Sequence, residues 1–269
     1  MDPLSIIILG LVQGVTEAIP LSSKTQDTLV YLTFLHGSTS MVVPILLYLN
    51  IGSVLAALIY FRNDIIQIAM DFLRRPLDVN AHANGRLGFL VVALLLTGVV
   101  GLPLLYLERK FFPTFDNALL FGIMGAGLMV TGIFLYLQKG AKVRKSESVT
   151  WKDGLITGAL QGLSILPGVS RSGTSTTGLI WNGFESESSF YLSFLLSVPT
   201  ILLAEILLSL GGGLTAFPVT DGILLALSAF VFGYLTIGAV LRLVRHVNLS
   251  YLAMGLGAFI IIVAALGLA

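Results

Sequence analysis

The chain has 269 residues, 56% of them hydrophobic and only 11% charged, with a formal net charge of +1 and no cysteine. A soluble domain carries about 25% charged residues, so this composition excludes an ordinary water-soluble fold. Disulfides and cysteine-based metal sites are excluded as well, and no nucleic-acid partner is expected.

Several windows of about 20 residues, among them 41–61, 87–107 and 221–240, carry almost no charge. They are apolar all round, as helices buried in a bilayer are. Met1-Asp2-Pro3 supplies no positive n-region and no early cleavage site follows, so no cleaved leader is expected.

Taken in order, residues 5–19 read as a helix too short to span, stopped by Pro20, which removes a backbone donor. The run Ser22-Ser23-Lys24-Thr25-Gln26-Asp27 is too polar for lipid, and 28–35 is apolar but short. We read 5–35 as a re-entrant helix–loop–helix hairpin, which a membrane tolerates only where protein or a wet cavity covers the backbone. One Pro-kinked spanning helix is the alternative. A span at 40–61 follows. The polar connection 62–86 holds Arg62, Arg74, Arg75, Arg86 and His82, and its Ile65, Ile66, Ile68, Ala69, Phe72 and Leu73 predict an amphipathic surface helix. Spans at 87–107 and 115–138 lead to a basic stretch with Lys139, Lys142, Arg144, Lys145 and Lys152. The pattern then restarts, with a broken segment at 153–182 and spans near 188–210, 219–241 and 248–268.

The two broken segments are versions of each other. With one residue deleted, Gln13 falls on Gln161, Gly14 on Gly162, Pro20 on Pro167, Ser23 on Ser170 and Lys24 on Arg171. Gly52-Ser53 meets Pro199-Thr200 at the offset that relates Ser23 to Ser170, and Gly125 and Gly127 meet Gly255 and Gly257. The expected fold is therefore an all-α integral membrane protein with an inverted-topology repeat. Each half is a re-entrant helix hairpin plus three transmembrane helices: 1–139, a basic cytoplasmic linker at 140–152, and 153–269, in one membrane domain. Three crossings are an odd number, so the second half is inverted and the hairpin loops meet near mid-membrane. Residues 62–86, 139–152 and 242–247 share one side and hold eleven of the 15 Lys and Arg. Basic loops stay cytoplasmic, which predicts a multi-pass plasma-membrane protein with both termini outside. Gly10 and Gly14, and Gly154, Gly158 and Gly162, recur every four residues and predict close helix packing.

Five ionisable residues lie at membrane depth: Glu17, Lys24, Asp27, Arg171 and Glu205. Each is costly there without a partner and defaults to a functional role. The repeat brings Lys24 and Arg171 to one place. Two cations, flanking hydroxyls and the N-terminal ends of broken helices make an anion site; a structural ion-pair cluster of the same four hairpin charges is the alternative. Arg171 can hold phosphate with two parallel bonds, and Lys24 acts as a point charge. Ser22, Ser170 and Ser172, like most of the flanking hydroxyls, read as phosphate ligands or helix-packing groups, and Gln26 is a further candidate phosphate ligand. Ser23, beside Lys24, is the candidate nucleophile. Glu17 serves as general base or as a ligand for a divalent cation, magnesium or calcium; Gln13, one turn earlier on the same face, orients Glu17 or binds the cation through its carbonyl. Glu205 faces no evident cation; the inter-repeat cavity or a local hydrogen bond would receive it. His36 and His246 read as surface groups, with a gate role for His36 as the alternative.

These residues carry a specific resemblance. Gln13-x-x-x-Glu17 with Pro20-x-Ser22-Ser23, and Pro167-Gly168-Val169-Ser170-Arg171-Ser172-Gly173, resemble the two signatures of the BacA-type undecaprenyl-diphosphate phosphatase family. The stretch 190–199 resembles it too, and the likeness covers essentially the whole chain. It implies a membrane enzyme that removes the terminal phosphate of a polyprenyl diphosphate to recycle a lipid carrier. Carried over by position, it implies Glu17 and Gln13 as the first signature, Ser23 as nucleophile, and Ser170 and Arg171 as the phosphate-binding element. Family members commonly read Ser-Ser-x-Gly-His where this chain reads Ser22-Ser23-Lys24-Thr25-Gln26, so Gln26 stands where a histidine is expected, and an amide cannot shuttle a proton. Two function classes remain: the hydrolase, with a polyprenyl diphosphate lipid as its partner, and a polyprenyl-phosphate transporter that uses the anion site without hydrolysis. A second copy of the chain is a further candidate partner.

Overall fold

The computed structural model describes residues 1–74, 78, 84–111, 115–137, 143–210, 217–243, 247 and 249–267. Arg75, His82, Lys139, Lys142 and His246 lie outside the described residues. The first half runs α1 Pro3–Thr16, α2 Ser23–Leu29, α3 Thr39–Tyr60, α4 Arg62–Arg74, α5 Arg86–Phe111 and α6 Asn117–Tyr136. The second runs α7 Trp151–Gly162, α8 Arg171–Trp181, α9 Ser186–Leu210, α10 Val219–Leu243 and α11 Leu249–Ala265. No strand occurs among the described residues beyond an isolated bridge between Arg144 and Phe184. Helices α3, α5, α6, α9 and α10 are long and apolar enough to cross a membrane. With 17 residues, α11 sits at the short end of that range.

Both broken segments form two separate helices rather than one kinked span. The arms have 14 and 7 residues in the first and 12 and 11 in the second, below the roughly 20 needed to cross. In the first, α1 stops before Pro20, and Ser22 turns the chain with φ 57°. From Ser23 the helix resumes, and it ends in a π-helical turn, Val30–Phe34. In the second, a 3-10 turn at Leu163–Ile165 leads to Pro167 and to Gly168 at φ +85°. Ser170 then caps α8, its Oγ accepting from the Gly173 amide at 3.3 Å. A side chain on Gly168 would run into the backbone of Met124, so the turn fits only because glycine lets α6 approach.

The small-residue faces are packing faces. Gly10 and Gly14 lie against Ser228, Phe232 and Gly233 of α10, while Gly154, Gly158 and Gly162 lie against Phe89, Ala93 and Val100 of α5. The first arm of each hairpin thus packs on a spanning helix from the other half. Helices α6 and α11 cross with Gly125 on Gly257. The expected amphipathic helix is α4, with Ile66, Phe72 and Leu73 exposed. Boundaries shift by a few residues: the helix expected over 5–19 is Pro3–Thr16, and α5 continues past the expected 107 to Phe111, because Glu108, Arg109 and Lys110 are good helix formers. Polar knots tie the ends together. Arg144 grips Asp153 through two bonds of 2.7 and 2.9 Å and stacks on Phe184. Asp64 takes Arg86 at 2.7 Å and the Tyr191 hydroxyl at 2.5 Å, and the Met1 amine meets Asp221.

Candidate active site

The two breaks deliver their charged residues to one point. Glu17 follows the last turn of α1, Ser23 opens α2 and Arg171 opens α8. Glu17 Oε2 accepts from Ser23 Oγ at 2.5 Å, and its Oε1 accepts from Arg171 Nη2 at 2.5 Å. Both charged side chains are 16% exposed, shielded yet reachable. Arg171 Nη1 is buried with no partner. Leaving a buried donor unsatisfied costs about 1–3 kcal/mol, a cost that an incoming anion would remove. Beside these groups opens a small pocket, lined by Glu17, Arg171, Ser53 and Ser197 on its polar side and by Phe194 and Ile237 on its apolar side.

Gln13 is nearly fully buried, and its Nε2 reaches Glu17 Oε2 at 3.3 Å, Asn50 Oδ1 at 3.1 Å and Ser53 Oγ at 3.0 Å. Asn50 in turn donates to Glu205 Oε1 at 3.1 Å. Glu205 therefore makes a long-range bond to α3 rather than a local one. Asn50 and Ser197 were not singled out by sequence reasoning, and Ser53 only as a repeat marker. The one available signal was an isolated amide or hydroxyl within an apolar span.

The remaining expected ligands hold the breaks together. Ser22 Oγ pairs with Thr25 Oγ1 at 2.9 Å, and Gln26 Nε2 donates to the Leu21 carbonyl at 3.0 Å. Ser172 Oγ lies 3.2 Å from Ser170 Oγ and donates to the Ile19 carbonyl at 3.3 Å, which ties the second hairpin to the first. Lys24 is exposed, within electrostatic reach of Glu205. Asp27 is buried one turn beyond Ser23, with both carboxyl oxygens unpartnered. His36 is exposed at the hairpin's exit.

For a divalent cation the fit is partial. Among the described residues, no three His, Cys, Asp or Glu side chains converge. Glu17 is the one carboxylate lining the pocket, and Gln13 turns its nitrogen, not its carbonyl, toward it. This donor set does not make a resident metal cage. It does fit an ion held mainly by phosphate oxygens with a single protein carboxylate, the usual arrangement for magnesium.

Fold and site together define a multi-pass membrane protein with a serine, a carboxylate and a guanidinium gathered where two broken hairpins meet. The chain belongs to the family described as bacitracin resistance protein BacA, whose model matches residues 6–268. Among its relatives, an undecaprenyl-diphosphatase of Methanococcoides burtonii is 37% identical over 265 residues, covering 93% of this chain and 94% of that protein. Proteins of the same name from Haloarcula marismortui and Methanothrix thermoacetophila are 35% and 32% identical, covering 92% and 99% of this chain and 92% and 98% of their own.

Proposed function

We propose that this protein hydrolyses a polyprenyl diphosphate of the undecaprenyl type to the monophosphate and phosphate, recycling a lipid carrier for envelope or glycan assembly. The observation that carries the reading is the hydrogen bond from Ser23 Oγ to Glu17 Oε2, made beside the unpartnered Nη1 of Arg171. Arg171 holds the terminal phosphoryl oxygens. Ser23 Oγ attacks the terminal phosphorus while its proton passes to Glu17 Oε2, and the bridging P–O bond breaks to release the polyprenyl monophosphate as an anion. Glu17 gives that proton up to solvent, and the restored carboxylate then takes a proton from a water molecule as the water attacks the phosphoserine phosphorus. Ser23 Oγ leaves, is reprotonated from Glu17, and phosphate departs. In the alternative role of Glu17, its carboxylate would hold a magnesium or calcium ion, which would supply neutralisation of charge on the substrate. The named relatives, undecaprenyl-diphosphatases all, support the substrate class.

The inverted repeat and the orientation belong to the same proposal. Crosswise packing of α1 on α10 and of α7 on α5 supports the repeat. The contacts of Tyr191 with Asp64, and of Met1 with Asp221, join segments that the expected topology puts on one side. Cysteines replacing Leu73 and Lys145 then react from the cytoplasm, and one replacing Val219 reacts from outside. Outside labelling of the first two would overturn the topology. The same symmetry favours one rival, a transporter that exposes a polyprenyl phosphate to alternate sides. Purified protein given a long-chain polyprenyl diphosphate, with and without chelator, separates the two. Phosphate release that needs Ser23 supports the hydrolase, and no release with any metal or chain length leaves the transporter.

A further inference from the structure

Glu205 is a buried carboxyl inside a spanning helix, and nothing in the reaction above uses it. Three hydrogen bonds nonetheless join it to Glu17: Asn50 Nδ2 to Glu205 Oε1 at 3.1 Å, Gln13 Nε2 to Asn50 Oδ1 at 3.1 Å, and Gln13 Nε2 to Glu17 Oε2 at 3.3 Å. The links are amides, which do not pass protons along, so the chain is not a proton wire. What an amide can transmit is direction, since one end donates and the other accepts.

We propose that Glu205 is a positioning residue, which sets the direction of the Asn50 and Gln13 amides so that Gln13 presents its N–H groups to Glu17. Glu205 Oε1 accepts from Asn50, which forces the Asn50 nitrogen toward α9 and its oxygen toward Gln13. Gln13 must then turn its nitrogen toward that oxygen. Ser53 enforces the same choice, because its hydroxyl donates to the Leu49 carbonyl at 3.3 Å and so offers Gln13 a lone pair. Gln13 has two N–H groups for three acceptors, so Glu17 Oε2, the most distant at 3.3 Å, shares one of them; it takes that N–H beside the Ser23 hydroxyl and stays aimed at the nucleophile. Without Glu205, Asn50 is free to turn over, and Gln13 would follow and set an oxygen against the Glu17 carboxylate. The consequence rests on the hydrolase reading; the cause rests on the hydrogen bonds alone.

The test compares Glu205→Leu with Glu205→Gln in the full chain, reconstituted in bilayers. The glutamine keeps an oxygen that can accept from Asn50, and the leucine does not. In Glu205→Leu, kcat for phosphate release should fall between about tenfold and a hundredfold, as misplacement of a reacting group does, with KM little changed. Glu205→Gln should stay near wild type. In a Gln13→Leu background, Glu205→Leu should add little, because the two act through one chain. A second readout needs no turnover: the side-chain amide resonance of Gln13 in nitrogen-15 glutamine-labelled protein, assigned by its loss in Gln13→Leu. It should move in Glu205→Leu and hold in Glu205→Gln. Equal loss in both variants, a full additional loss in the Gln13→Leu background, or an unmoved resonance in Glu205→Leu would overturn the positioning role. A wild type that releases no phosphate would overturn the hydrolase reading instead, and the resonance would still decide this one.

Discussion

In the first hairpin, Gln13 Nε2 reaches Ser53 Oγ at 3.0 Å; in the second, Gln161 Nε2 reaches Thr200 Oγ1 at 3.0 Å. Ser53 and Thr200 correspond at the offset that relates Ser23 to Ser170, so one bond is built twice. Its surroundings differ. Gln13 also touches Asn50 and Glu17, and through Asn50 it connects to Glu205. Beyond Thr200, Gln161 Nε2 reaches neutral Thr97 at 3.0 Å, and its Oε1 is buried without a partner among the described residues. The first break carries a carboxylate and a bonded serine, while the second carries the guanidinium and uses its serine as a helix cap. The two breaks match in outline and differ in the groups they carry, and in the proposed reaction each supplies a different group to one phosphorus.

The sharpest way to break that comparison is to remove the matched serines in turn. Ser23→Ala and Glu17→Gln should each lower phosphate release by more than about a thousandfold, and the double variant should be scarcely worse, as for members of one catalytic unit. Binding of the diphosphate lipid should persist, since Arg171 remains. Ser170→Ala should instead lower stability by about 1 kcal/mol, the usual cost of a lost N-cap, and keep most of the activity. Release that survives Ser23→Ala but not Ser170→Ala would exchange the roles of the two hairpins.

The matched cations come next. Arg171→Lys keeps charge but loses the fork that holds Glu17 with one nitrogen and leaves another for phosphate. The loss should be about 2–4 kcal/mol in transition-state stabilisation, comparable with removing an oxyanion-hole donor. Lys24 is exposed, and Lys24→Arg should change release only slightly. A severe loss at Lys24 with a mild one at Arg171 would make Lys24 the principal phosphate ligand. Both are read from initial rates at matched expression.

Much of this was legible in the sequence, for identifiable reasons. The breaks showed themselves because Pro20 and Pro167 fall in apolar runs too short to cross, and each is followed by hydroxyls that lipid cannot solvate. Glu17 and Arg171 stood out because an ionised group at membrane depth requires a partner, and each turned out to be the other's. Composition could not sort the hydroxyls. Ser22, Ser23, Ser170 and Ser172 look alike in a string of letters, and only distances separate the one on Glu17 from those that hold the turns. Asn50 and Ser197 stayed hidden because a spanning helix tolerates a lone neutral polar residue that bonds a neighbour. Glu205 was visible, but its partner sits on another helix 155 positions away.

Gly168 and Ser22 offer a finer contrast in stability. Both lie at positive φ in their breaks. Gly168→Ala puts a side chain at φ +85° and against the Met124 backbone. Left-handed backbone alone costs about 1–2 kcal/mol for a residue with a side chain, and the clash adds to it, so melting should drop clearly.

The smallest effect is expected at Ser22, where the first break manages without glycine. Ser22→Gly relieves about 1 kcal/mol of left-handed strain at φ 57°. It also loses the hydroxyl contact with Thr25 Oγ1, worth about 1 kcal/mol, and frees the unfolded chain by about 0.4–1 kcal/mol. These terms nearly cancel, with a slight net destabilisation, so the melting temperature should shift little and phosphate release should stay close to wild type. Ser22 was expected from sequence to contact phosphate, and this variant tests that role directly. If folding is intact and KM for the diphosphate lipid rises sharply, the Ser22 hydroxyl turns from Thr25 to the substrate once phosphate arrives. If both stay put, Ser22 only shapes the turn that carries Ser23 to Glu17.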